Sequence, residues 1–110
     1  MQLFTLALLT SSLLGAVDPE TDLTLVPGSV ALEEPRRYES PRNYDDTLKY
    51  MRAVTTKTRT KLRRIVNRPG LRAHHIASRD PKTKWEGVNI YQWKGHIRYF
   101  ILLRQDTPKK

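Results

Sequence analysis

Three histidines, His74, His75 and His96, stand with Glu86 and Arg98 in the C-terminal third of a 110-residue chain. An imidazole, a carboxylate and a guanidinium displayed on a small sheet are the groups that cleave RNA, by general acid and base catalysis and by stabilising the phosphorane. His75, Glu86, His96 and Arg98 would take those roles, and His96 and Arg98, two residues apart, share a strand face. No local motif accompanies them, and Glu86 is the one acid in the sheet region, near a strand start. The chain is therefore expected not to be an enzyme, with ribonuclease-like chemistry kept as an alternative. His74 and His75 are adjacent, so their rings leave opposite strand faces and a shared zinc site is not expected. Nucleophile elbow, phosphate-binding loop and Ser-His-Asp set are all missing, and neither metal nor cofactor is expected.

The densest cationic stretch runs from Lys57 to Arg64 (KTRTKLRR) and continues to Arg68 and Arg72. Lys57, Arg59, Lys61, Arg63, Arg64, Arg68 and Arg72 form the candidate binding patch. On a helix they would meet phosphates about 6 Å apart, and in an extended chain they resemble a nuclear localisation signal. The plainer alternative is a solvated helix face with cations toward its C-terminus. Downstream, Trp85, Tyr91, Trp93, Lys94, Arg98, Tyr99 and Phe100 interleave rings with cations, a pattern that stacks single-stranded bases. In so small a domain half of these must face the core instead.

Charge divides the chain. Asp18 to Asp46 carries eight acids and three arginines, whereas Thr47 to Lys110 carries seventeen Lys or Arg against Asp80, Glu86 and Asp106. An acidic segment that masks a basic domain, or a basic surface for nucleic acid, anionic lipid or an acidic protein, both fit that division. Arg36-Arg37 follows Glu33-Glu34-Pro35 and is a candidate site for a kexin-type processing protease. Cutting there would leave Tyr38 to Lys110, 73 residues at net +12.

The elements that must position these groups can be read from periodicity. Residues 17–42, rich in Pro, Glu and Thr, are expected to form a loose hairpin about Pro27-Gly28 or an unstructured linker. Asp45 to Val66 is expected to be a helix capped by Asn43 or Asp45, with Leu48, Met51, Thr55, Thr58, Leu62, Ile65 and Val66 near one face. Its weak point is Thr55 to Thr60, four threonines in six residues, and Pro69-Gly70 stops it. Strands are expected at Leu71 to Ser78, Trp85 to Trp93 and His96 to Leu103, the last two joined through Lys94-Gly95, with Ile97, Tyr99, Ile101 and Leu103 on one face. The expected fold class is α+β, a small single domain with one helix packed on a three- to five-stranded antiparallel sheet and a flexible acidic N-terminal segment. The domain division is 1–16, 17–42 as acidic linker or propeptide, and 43–110 as the basic domain.

Residues 1–16, MQLFTLALLTSSLLGA, hold seven Leu or Phe between Leu3 and Leu14, no charged side chain, and Asp18 soon after. They read as a secretory signal peptide, too short for a bilayer span of about 20 residues. There is no cysteine to staple or ligate, and no N-glycosylation sequon. The signal, the small basic chain and the lack of enzymatic motifs resemble a small secreted effector of a plant-pathogenic fungus, of the biotrophy-associated type. The helix-then-sheet order is also similar to that of secreted fungal ribonucleases, without their cysteines. The effector resemblance implies a non-enzymatic, virulence-type protein that is secreted, contacts or enters host cells, and modulates defence. Its partner would be a host protein or nucleic acid, met in host cytoplasm or nucleus, because a chain without cysteine suits a reducing compartment. A monomer is expected. A secreted cationic antimicrobial protein is the competing expectation, and it requires an amphipathic helix from Tyr44 to Val66.

Overall fold

The computed structural model describes residues 16–105, so all of the expected signal peptide except Ala16 lies outside the described residues. Strands β1 (Val30–Ala31), β2 (Arg37–Glu39), β3 (Thr60–Arg68), β4 (Leu71–Ser78), β5 (Trp85–Trp93) and β6 (His96–Leu103) form one antiparallel sheet. The spatial order is β1-β2-β6-β5-β4-β3. Three of these strands lie where alternation places them, and the β5–β6 hairpin turns through Lys94 and Gly95 with φ of 50° and 81°. Two consecutive positive values are what a right-twisted two-residue hairpin requires, and glycine supplies the second without a Cβ clash. Six strands exceed the three to five expected, because β3 is added at one edge and β1 and β2 at the other.

The helix is shorter than its periodicity suggested. Helix α1 covers Tyr44–Thr55, with Asn43 capping it by accepting from the Asp46 amide at 2.8 Å. Residues up to Val66 were expected to continue it; instead Thr60–Arg68 is an edge strand. The threonines supply the reason. Thr55 and Thr56 donate their hydroxyls to the carbonyls of Met51 and Ala53, both at 2.8 Å, and Thr58 to that of Thr55 at 3.1 Å. Their β-branching, together with these competing hydrogen bonds, ends the helix and favours extended chain beyond it. The helix needed for membrane permeabilisation by Tyr44 to Val66 is thus absent, and the apolar side of α1 is spent on the sheet.

Register assigns the two faces of the sheet. One face carries Tyr38, Tyr99, Ile101, Ile97, Val88, Ile90 and Ile76, and these join Met51 and Tyr44 of α1 in the core. Residues 17–42 cover the rest of that face. Leu23, Leu25 and Val26 are buried there, the Val26 amide donates to the Tyr99 hydroxyl at 3.1 Å, and buried Asp18 accepts from Tyr38. A flexible acidic segment was expected, and the structure corrects this: the segment is half of the lid on the core. Its short apolar runs fill the space that a 12-residue helix leaves uncovered above β2 and β6. No helix among the described residues is long and apolar enough to cross a membrane.

Candidate nucleic-acid interface

Among the described residues no helix packs across the opposite face of the sheet, and Leu32, Glu33 and Glu34 border it only at one side, beside Arg37, Tyr91 and Arg98. Alternation places Lys61, Arg63 and Arg68 of β3, Ala73 and His75 of β4, Asn89, Tyr91 and Trp93 of β5, and His96, Arg98 and Phe100 of β6 on it. Arg37 and Glu39 of β2 extend it to the far side. Pairing puts Arg37, Phe100, Asn89, His75 and Arg63 in a single transverse row. Five strands at the usual spacing make that row about 19 Å long.

The middle of the row is fixed by hydrogen bonds. His75 Nδ1 lies 2.6 Å from Asn89 Oδ1, and since a carbonyl oxygen only accepts, the imidazole carries its proton on Nδ1. The ring lies over Gly87: a Cβ there would sit 2.5 Å from His75 Cε1 and 2.9 Å from Nε2. Glycine at 87 is therefore what lets the imidazole lie down on β5. Toward β2, the Arg37 guanidinium stacks 4.0 Å above the centre of the Phe100 ring while Glu34 holds it at 2.6 Å. Next to it Glu39 accepts from Arg98 at 2.9 Å and from His96 at 3.2 Å. These hydrogen bonds from His96 and Arg98 hold the Glu39 carboxyl below its ordinary 4.5.

The face is electrostatically lopsided. On the β2–β6 side, Glu34 and Glu39 partner Arg37 and Arg98. On the β3 side, Lys61, Arg63 and Arg68 are exposed and have no ion pair among the described residues. Cations two apart on a strand stand about 6.7 Å apart, close to the spacing of successive phosphates along an extended strand. Tyr91 and Trp93, the latter 52% exposed, supply ring faces from β5, between β6 and β4.

The candidate basic patch is thus divided. Lys61, Arg63 and Arg68 share the open face; Arg64 and Arg72 point to the helix side, where Arg64 pairs in register with His74. Lys57 and Arg59 lie in the connection between α1 and β3, Arg59 tying Arg79 through its carbonyl. Arg36 and Arg37 are bound into the sheet: Arg36 donates Nε to the Ile101 carbonyl at 3.1 Å, and Arg37 pairs with Phe100. Of the interleaved rings, Trp85 and Tyr99 are buried, and Tyr91, Trp93 and Phe100 face outward.

The set cast for cleavage is not brought together. His75 and His96 share the open face but lie two strands and four residues apart, about 16 Å by strand geometry. Glu86 is exposed at the β5 bulge, and the carboxylate beside His96 and Arg98 is Glu39. Sequence reasoning missed Glu39 and Asn89 and named Arg37 only as a candidate processing residue; the alternation of β5 and β6 marks Asn89 as outward, but nothing local marks β2 as a strand. Among the described residues no group of His, Asp and Glu is placed to hold a metal ion. Comparison with protein-family models, with curated proteins and with solved structures finds no match to this chain.

Proposed function

We propose that this chain is a secreted, non-enzymatic binding protein that takes single-stranded RNA on the open face of its sheet. The host macromolecule of the effector reading is then a nucleic acid. One observation carries the reading: with the helix on one face of the sheet, the other presents a row of Arg, Phe, Asn, His and Arg, flanked by Tyr91, Trp93 and the cations of β3 that have no ion pair among the described residues. Rings beside guanidiniums stack splayed bases, and cations at strand spacing follow the backbone. Duplex bases are already stacked and paired, which leaves the rings nothing to hold. The separation of His75 from His96 supports a binding role over cleavage, because acid and base must reach one phosphodiester. Secretion rests on the apolar run of residues 1–16.

The test is fluorescence anisotropy of labelled single-stranded RNA, with single-stranded DNA and duplex RNA as comparison arms, over a salt series. Single strands are expected to bind more tightly than duplex, with affinity falling steeply with salt. The triple substitution Lys61→Gln, Arg63→Gln and Arg68→Gln should reduce the log–log salt slope by about 2, from about 0.7 per lost phosphate contact. Salt-independent binding, or a triple variant indistinguishable from the parent, overturns the reading. For secretion, a fluorescent fusion should reach the medium or host tissue only when residues 1–16 are retained.

A further inference from the structure

On the helix side of the sheet, away from the open face, a second cationic cluster is built around His74. Arg64 of β3 is its cross-strand neighbour and Arg72 lies two residues along β4. From the helix, Tyr44 and Asp45 face the cluster at the first turn and Arg52 at the last. Asp45 is the single carboxylate among these groups, and it is bonded to Arg72 at 2.8 Å. Arg72 also stacks 4.4 Å above the Tyr44 ring, and its buried Nε has no hydrogen-bond partner. Arg52 and Arg64 are exposed and have no ion pair among the described residues.

The protons of the cluster can be placed. The Tyr44 hydroxyl donates its one hydrogen to the Ile90 carbonyl at 3.0 Å, and burial keeps the phenol protonated, its pKa pushed up to about 12. His74 Nδ1, 2.8 Å from the same oxygen, must therefore be the donor to it. Neutral His74 is left with a bare lone pair on Nε2, with Arg64 opposite it across the strand pair and Arg72 two residues along β4. Partial burial, then Arg72, Arg64 and Arg52, hold the imidazole below its ordinary 6.5, with Asp45 opposing. An arriving anion would cancel that repulsion and accept a new N–H from Nε2.

We propose that Arg52, Arg64 and His74 form an anion site for a phosphate group, which takes up one proton on His74 Nε2 as it binds. The site is separate from the open face and stands whether or not that face binds RNA. The ligand is a phosphate mono- or diester, either a small phosphorylated molecule or a backbone phosphate of a strand crossing the β3 edge.

Sulfate is the probe, because it stays dianionic where phosphate itself titrates. The imidazole signals of the full chain are followed by NMR against pH, with sulfate exchanged for chloride at constant ionic strength. The His74 pKa is expected to rise, and sulfate to bind about tenfold more tightly at about pH 5.5 than at about pH 8, the equivalent of a shift near one unit. Replacing both exposed arginines (Arg52→Gln, Arg64→Gln) should abolish the His74 response while leaving the fold, and the His75 and His96 signals, intact. A His74 pKa indifferent to sulfate, or a response that survives in the double variant, overturns the proposal. Single-stranded RNA then separates the two sources: if it moves the His74 signal, the site belongs to a backbone track, and if not, to a small phosphorylated ligand.

Discussion

At the residue scale, two buried or half-buried contacts govern what a substitution does. Gly87 is needed for the space above it rather than for backbone freedom, since the His75 ring occupies the volume of a Cβ. Gly87→Ala should therefore displace the imidazole and break its bond to Asn89 at a cost of about 1 kcal/mol in stability. Loss of the His75–Asn89 coupling in NMR, with a modest drop in Tm, is the expected result. His74 contributes a pH dependence whose sign is fixed by its lowered pKa. Below 6.5 the unfolded imidazole binds a proton that the folded one resists, so stability falls as pH drops through the window from 6.5 to the lowered folded value. Denaturant midpoints measured across that window should fall in the parent and be flatter in His74→Gln. Glu39 works in a lower range, its stabilising contacts being lost as pH falls through its own depressed value.

At the scale of elements, legibility tracked how local the determining interactions were. Strands β4, β5 and β6 were readable because alternation and the Lys94-Gly95 turn are properties of neighbouring residues. The start of α1 was readable from Asn43, and its end was not, because Leu62, Ile65 and Val66 satisfy helical spacing while also suiting a strand. Only the threonine hydroxyls turned back onto the carbonyls of Met51, Ala53 and Thr55 decide between them. Residues 17–42 were illegible for another reason: what orders them is the contact of Asp18 with Tyr38 and of Val26 with Tyr99, distant in sequence. The open face was half legible, since its rings and cations were singled out while the row joining them depends on register. The processing question belongs to this scale. Cleavage after Arg37 would cut β2 next to Tyr38 and release Leu23, Leu25 and Val26 from the core. The fragment Tyr38 to Lys110 is expected to lack cooperative unfolding, and the intact chain to resist a dibasic-specific protease under native conditions. Tyr38→Phe, which strips buried Asp18 of a donor, should lower stability by about 1–3 kcal/mol in denaturant titration.

At the scale of the molecule, the two edges of the sheet are unequal. One ends in β1, two residues long; the other in β3, nine residues long, bulged between Arg64 and Val66 and carrying Lys61, Arg63, Arg64 and Arg68. Cations and bulges on an edge strand discourage another chain from adding to it. With salt that discouragement weakens, since charge repulsion is screened within about 10 Å at 0.1 M. Polymerisation by edge pairing needs two usable edges, and the sheet has one among the described residues. Pairing of β3 with β3 across a two-fold axis consumes it in both copies and leaves the two-residue β1 edges of the described sheet outside. Raising the salt should therefore take the protein in light scattering to twice its mass and no further: it can pair, but the pair cannot grow into a fibre.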